Sequence, residues 1–313
     1  MNLNRCLNAV CKMINDETDD RFIKPSYITL PAMKRDDITI LEFLIERFPH
    51  VGKNIWLERI NNGLVADQVG NAISLDTKYK QRMRLTYFRE IKDEIVIPFK
   101  EEIIFQNDHL VAVCKPHFLP VQPSGPFVKE CLLNRLTKKL KNKDLVPLHR
   151  IDRETAGVVL FSANPKSRNI YHELFRLGNT KKVYEAIGTK PKNDSENEWL
   201  IENRIVESSQ WPLTENSDGP VNARTLIRKI DQQDNMVKFR IEPFTGKGHQ
   251  IRLHLQLIGS NIINDRYHPE LKPVKYDDFE NPLQLIARAL AFTDPVSGGK
   301  YKFKSSRKLL FNP

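Results

Sequence analysis

Asp152 lies in the stretch His149-Arg150-Ile151-Asp152-Arg153-Glu154-Thr155-Ala156-Gly157, directly ahead of an apolar run at residues 158–161. A carboxylate between two guanidinium groups, with a histidine three residues away, has two readings. It is a solvated ion-pair cluster at a strand edge, where an exposed pair contributes at most ~1 kcal/mol. Alternatively, its cationic neighbours keep it charged, and it serves as a nucleophile or base. Other stretches have to decide between them.

Two more stretches carry reactive side chains. Lys181-Lys182-Val183-Tyr184-Glu185-Ala186-Ile187-Gly188 reads as a strand, with Lys182 and Tyr184 on one side and Val183 and Glu185 on the other. Further on, Thr245-Gly246-Lys247-Gly248-His249-Gln250-Ile251-Arg252-Leu253-His254 reads as a glycine-bracketed turn entering a helix. His249 and His254 are five residues apart rather than the four of a helical ligand pair, and no glutamate lies between them, so a metal site is not expected. No G-x-x-x-x-G-K loop occurs, which argues against a nucleotide cofactor.

These stretches need a scaffold, and the chain of 313 residues is long enough for a large domain and a smaller one. Its 40% hydrophobic and 28% charged residues are those of a soluble globular protein. Forty-nine Lys and Arg against 39 Asp and Glu leave a formal charge of +10, which favours an anionic partner, nucleic acid first. Cys6, Cys11, Cys114 and Cys131 form no C-x-x-C pair and no dense framework, so reduced thiols and a cytoplasmic setting are expected. The apolar patch near the start is too short for a signal peptide, and no run approaches the ~18 residues of a membrane span.

Along the chain, residues 1–36 lack periodicity and read as a loosely packed extension. Ile38, Ile40, Leu41, Phe43, Leu44 and Phe48 have helical spacing, and a second helix follows from Lys53, with Trp56, Leu57 and Ile60 on one face and Gly63 as its stop. Short strands follow at residues 64–66 and 84–87. Residues 90–100 read as a linker and 102–114 as a hairpin, followed by helices at 128–141 and 166–177. Strand candidates then fall at 199–206, 223–229 and 237–242, with a last one at 283–293 turning at Asp294-Pro295 and a basic tail at Arg307 and Lys308.

Residues 37–98 resemble the alpha-L RNA-binding motif, with Lys53, Arg59, Lys78, Lys80, Arg82 and Arg84 as candidates for a phosphate-facing side. Asp36 and Asp37 stand where that motif usually opens with basic residues. The alternative is an ordinary small α+β cap with a solvated basic face. The expected organisation is an extension (1–36), this module (37–98) and a catalytic domain (99–313).

His149-Arg150-Ile151-Asp152 with Thr155-Ala156-Gly157, Lys182-Val183-Tyr184 with Gly188, and Thr245-Gly246 with His249-Gln250-Ile251-Arg252-Leu253-His254 follow one another as in a single family. With the Lys115-Pro116 hairpin end and the late Phe292-Thr293-Asp294-Pro295 segment, residues 102–305 resemble the RluA-type pseudouridine synthases. The resemblance implies an α+β fold on a long, mixed, mostly antiparallel sheet, with RNA in a basic cleft across it. It implies that Asp152 is the nucleophile, that Arg150 takes the place of the flipped uridine, that Tyr184 stacks on the uracil and that Arg252 pairs with the catalytic carboxylate. The neighbouring His149, Arg153, Lys182, Lys247 and His249 are expected on the RNA. The implied partner is ribosomal or transfer RNA, and the enzyme is expected to act as a monomer without a cofactor or metal.

The chemistry fits those residue types. Isomerising uridine requires breaking the glycosidic bond, turning the base and bonding carbon 5 to the sugar, so the nucleotide must leave the stack at a cost of a few kcal/mol. An intercalating cation and an aromatic ring can offset that cost. Tyr184 could also remove the carbon 5 proton if it lies within hydrogen-bond reach. The family usually has Arg-Thr after Thr-Gly, whereas this chain has Lys247-Gly248, which keeps the charge, loses the guanidinium fork and loosens the turn. Two other function classes compete. A non-catalytic RNA-binding protein on the same fold would not need Asp152 and Tyr184, and a glycosidase-type hydrolase would need a second carboxylate that the motifs do not supply.

Overall fold

A computed structural model describes residues 26–32, 37–49, 51–87, 94–210, 212–273 and 275–310. The chain divides into two compact units, Met1–Asp93 and Glu94–Pro313.

In the first unit, helix α1 (Ile40–Arg47) begins at Thr39, whose hydroxyl accepts from the Glu42 N–H while the Glu42 carboxylate accepts from the Thr39 N–H. This reciprocal cap satisfies two otherwise orphaned donors and fixes where the apolar stripe starts. Helix α2 (Lys53–Asn61) follows, and Ile40, Phe43, Leu44, Trp56 and Ile60 pack together over a three-stranded antiparallel sheet. Its strands are β1 (Ser26–Thr29), β2 (Val65–Ala66) and β3 (Arg84–Tyr87), in the order β1-β3-β2. The expected loose extension is thus corrected for residues 26–32: Ser26 pairs with Tyr87, and Leu30 is buried. The rest of that extension, with Cys6 and Cys11, lies outside the described residues. Arg59, expected to face phosphate, is buried with its guanidinium 5.0 Å from the Trp56 ring.

The second unit begins at Glu94, inside the stretch expected to be a linker. The Glu94 carboxylate accepts from the N–H groups of Val128, Lys129 and Glu130, and Arg135 donates to the carbonyls of Ile97 and Phe99. Residues 94–100 are therefore bound into this unit. Those N–H groups are tied to a carboxylate across the chain, and the expected helix at 128–141 starts only after them, as α3 (Leu132–Leu140).

The unit is built on an eleven-stranded sheet that is antiparallel except at one pair. Strands β4 (Glu102–Gln106), β5 (Leu110–Lys115), β6 (Val146–Pro147) and β7 (Ala156–Ser162) form one end. Strands β8 (Lys181–Thr189), β9 (Glu198–Glu207), β10 (Thr214–Ser217), β11 (Ala223–Gln233) and β12 (Met236–Pro243) form the other. Strand β13 (Leu285–Thr293) joins them, pairing antiparallel with β8 and parallel with the start of β7. Strand β14 (Lys300–Lys304) pairs with β13 and was not expected. Helix α3 and the chain at 118–128 cover one face through Val113, Val159 and Phe161, and α4 (Arg168–Arg176) covers the other through Tyr171, Val158 and Leu160. Helix α5 (Gln250–Leu257) packs on the β8–β12 region through Ile251 and Leu255.

At the parallel crossing Gly157 has φ +120°, and a Cβ there would lie 2.2 Å from the Ala287 carbonyl oxygen. Only glycine lets the two backbones meet. Gly157→Ala is expected to destabilise the second unit by about 3 kcal/mol or more, from left-side backbone strain and a clash with backbone that cannot yield. Chemical denaturation of the variant measures this.

Neutral histidines, His254 and His268 buried and His117, His149 and His249 half-buried, also hold this unit. Burial pushes His117, His254, His249 and His268 down to about 4 and His149 to about 3, from an ordinary 6.5. Because the folded values are depressed, the unfolded chain takes up these protons first as the pH falls. Stability is therefore full above about pH 6.5 and is lost progressively towards pH 4. Denaturation midpoints measured from pH 7.5 to pH 4.5 should fall with a slope set by several histidines.

Candidate active site

The site forms where the chain leaves β5, enters β7 and starts α5. Between residues 152 and 155 the chain turns tightly, and the Thr155 N–H donates to the Asp152 carbonyl at 3.1 Å. The turn is held from beneath by Lys115, a fully buried residue at the end of β5. Its ammonium donates to the carbonyls of Pro116, Leu119 and Arg153 at 2.9, 2.6 and 3.0 Å. Burial pushes the pKa of this amine well below its usual value, with the Arg153 charge adding to the effect. His117 donates from Nδ1 to the Glu154 carbonyl at 2.7 Å, a second fastening of the same turn.

Arg252 lies in the first turn of α5 and is 2% exposed. Its Nη2 donates to Glu154 Oε2 at 3.1 Å, its Nη1 lies 3.5 Å from Asp265 Oδ1, and its Nε lies 3.5 Å from Asp152 Oδ2. Glu154 and Asp265 are buried, whereas the Asp152 side chain is 36% exposed. One buried cation therefore faces two buried acids and one accessible acid. Burial works against the guanidinium charge, but Asp265, Asp152 and Glu154 together outweigh it and raise the Arg252 pKa. Asp265 is itself fixed by the N–H groups of Tyr267 and His268 at 2.8 and 3.2 Å. The Tyr267 ring covers the Arg252 guanidinium at 5.0 Å and stacks on His249 at 5.0 Å.

Tyr184, on β8, pairs with Ala287 of β13 and Ile241 of β12. Burial, reinforced by the negative charge of Asp152, raises its pKa. The phenol therefore keeps its proton in the free protein, and any role as a base requires that this proton leave in the same step. Lys182, two residues earlier on the same side of the strand, donates to the Thr245 carbonyl at 3.1 Å and so fastens the turn before α5. The Gln250 carboxamide closes that turn: it accepts from the Thr245 hydroxyl and the Lys247 N–H, and donates to the Arg224 carbonyl and the Thr225 hydroxyl.

The expected site residues thus separate into two groups. Asp152, Arg252 and Tyr184 lie about one site, with His249 beside them, while Arg150 and Lys247 are exposed and make no side-chain hydrogen bond or ion pair among the described residues. His149, expected on the RNA, serves the fold instead: its Nε2 accepts from the Leu160 N–H at 3.1 Å, and its ring stacks on Phe175. Arg153 lies between the rings of Phe127 and Tyr276, 5.6 and 5.1 Å from their centroids, and burial lowers its pKa. Reading the sequence missed Glu154, Asp265, Tyr267 and Lys115. Glu154 stood in the quoted stretch and Lys115 ended a recognised hairpin, but nothing local marked Asp265 as the partner of an arginine thirteen residues earlier.

Comparison with known proteins agrees with this geometry. The pattern of the RNA pseudouridylate synthase family matches residues 109–257, which run from the start of β5 to the end of α5. An uncharacterised RNA pseudouridine synthase of Synechocystis is 27% identical over 237 residues, covering 75% of this chain and 81% of that protein. The dual-specificity RNA pseudouridine synthase RluA of Yersinia pestis is 27% identical over 210 residues, 64% of this chain and 97% of that protein. Plant and yeast relatives are longer, and the chain spans 59% and 54% of them. The solved structure of human RNA pseudouridylate synthase domain containing 4 superposes with a TM-score of 0.52 at 24% identity, over 66% of this chain and 88% of that one, which establishes the shared fold. The family pattern lies on the strands and helix that carry Asp152, Tyr184 and Arg252, and over this region the chain is similar to RNA pseudouridylate synthases, an RluA protein among them.

Proposed function

We propose that this protein isomerises particular uridines of a structured ribosomal or transfer RNA to pseudouridine, with Asp152 as the nucleophile. The observation that carries this reading is the pairing of an accessible Asp152 carboxylate with the fully buried guanidinium of Arg252 at 3.5 Å. In the isomerisation the N1–C1′ bond breaks, the base turns and a C5–C1′ bond forms. The carbon 5 proton leaves and N1 takes one up, so the atoms balance without a cofactor. A carboxylate can act as the nucleophile on the sugar or on the base. Arg252 holds it from the protein side and leaves its outer edge to the substrate.

Tyr184 supplies the ring against which a flipped uracil stacks, and its protonated hydroxyl is a donor in the same pocket. Arg150, exposed and unpaired, is the cation that fills the gap left in the RNA, and Lys247 contacts phosphate. Arg153 supports the site from its aromatic bed. The first unit adds RNA contacts through Lys53, Lys80 and Arg82, which are exposed. A non-catalytic RNA-binding role would leave the three-acid arrangement around Arg252 without a purpose.

Asp152→Asn keeps the shape and removes the nucleophile. Tritium release from 5-tritiated uridine RNA should fall about a hundredfold or more, with RNA affinity within a few fold of wild type. Retention of more than a few per cent of the turnover would overturn the assignment. Tyr184→Phe keeps the ring. It should bind RNA like the parent and slow the single-turnover rate about tenfold or more, whereas an unchanged rate would restrict Tyr184 to stacking.

A further inference from the structure

The charges on the sheet face that carries Lys181, Val183 and Glu185, opposite to Tyr184, fall into two regions. Across β9, β11 and β12 its basic residues have acidic neighbours: Arg224 with Glu202 at 3.0 Å, Arg228 with Glu198, and Arg240 with Glu242 at 3.0 Å. Glu185 of β8 takes Lys238 at 3.6 Å and Arg288 at 2.8 Å. This part of the face is electrostatically closed. Beyond it, on the start of β8 and on β13 and β14, the pattern stops.

Lys181 lies opposite Ala291, which lies opposite Lys302, so two lysines flank one alanine across three strands. In the same way Lys304 lies opposite Ala289 and Lys300 opposite Thr293. Lys181, Lys300, Lys302 and Lys304 are exposed, and none has a carboxylate partner among the described residues. The floor between them is formed by short side chains. With strands ~4.8 Å apart, the trough between Lys181 and Lys302 is ~10 Å wide, and the lysines of β14 repeat every ~6.7 Å along the strand. The alternate residues Tyr301 and Phe303 point the other way and pack with Phe105 and Phe292, which fixes the lysines outward.

We infer that the trough formed by Lys181, Lys300, Lys302 and Lys304 on β8, β13 and β14 is a second RNA contact surface, one that takes the phosphate backbone of RNA continuing beyond the target nucleotide. The inference rests on the RNA-modifying reading above. Regular lysines over a flat small-residue floor suit an anionic backbone and offer nothing that reads bases. From Ala287 beside Tyr184 to Thr293 is about 20 Å along β13. The surface therefore binds only RNA long enough to pass from the site round to this face, and it contributes affinity rather than chemistry.

The test is the triple variant Lys300→Glu, Lys302→Glu, Lys304→Glu, with Lys→Gln at the same positions as the milder version, both in the full chain. Binding of a fluorescein-labelled RNA, either a long structured RNA or a minimal hairpin, is titrated at several KCl concentrations. Single-turnover tritium release is measured on an RNA that the wild type modifies. The expected result for both variants is weaker binding of the long RNA, at least tenfold for the Glu variant. The salt slope should become shallower by roughly two to three, one phosphate contact per lysine. Hairpin binding, the rate at saturating RNA and the melting temperature should be unchanged. An unchanged slope on the long RNA overturns the proposal and leaves the trough to a solvated or protein-facing role. Wild type that forms no pseudouridine in any RNA would defeat the assigned activity instead, and the binding titration would still report on the trough.

Discussion

A single buried guanidinium holds the site together. Arg252 has almost no access to water and faces Asp152, Glu154 and Asp265, which come from a turn before β7 and from a loop after α5. A buried ion pair is a weak source of net stability, but removing one partner leaves a desolvated charge behind at a cost of about 3–5 kcal/mol. Here the removal of Arg252 would leave two buried acids close together. The cluster therefore requires those three segments to be brought together in one arrangement, and that arrangement sets the position of Asp152.

The sheet makes this arrangement possible by bringing β13 between β8 and β7. The parallel crossing at Ile286 and Ala287 places the start of β7 one strand from Tyr184, and the absence of a side chain at Gly157 lets the backbones meet. Lys115 fixes the turn that precedes β7 from the other direction. An ammonium with three carbonyl acceptors is satisfied in a dry setting where an unpaired one would be very costly. Asp152 is thus set by strand pairing on one side, a cation beneath and a cation in front.

Much of this was legible in the chain. The helical spacing of Ile40, Phe43 and Leu44 became α1, the hairpin ending at Lys115 formed, and Asp152, Tyr184 and Arg252 came together from three separate stretches. What escaped has physical reasons. Strand β14 alternates lysines with Tyr301 and Phe303, a short stretch that nothing local marks as a strand until β13 pairs with it and its aromatic side packs inward. The first turn expected of α3 is withheld because Glu94, from what looked like a linker, takes the N–H groups of residues 128–130. His149 looked like an RNA ligand because of its neighbours, yet its ring accepts a backbone N–H that only the folded β7 brings to it. Local sequence reports which residues are polar, whereas tertiary pairing decides which of them are already satisfied.

That distinction divides the site by role. Lys115, His117, His149 and Gln250 bond to backbone within the fold and hold the turns and strand that carry the site, whereas Lys182 uses one of its three donors on the Thr245 carbonyl and keeps two. Asp152 keeps a third of its side chain open, and Arg150 and Lys247 are exposed without partners among the described residues. Arg153 is the intermediate case: neither Nη atom has a hydrogen-bond partner, although both are buried, and its charge lies over two rings. The Glu154 carboxylate lies 3.6 Å from its Nη2, an ion pair without a hydrogen bond, and the ring faces hold the rest of the guanidinium. The arginine beside Asp152 therefore stabilises this turn through its stacking and its pair with Glu154, and its Nη donors, which make no hydrogen bond, remain open to an anionic acceptor.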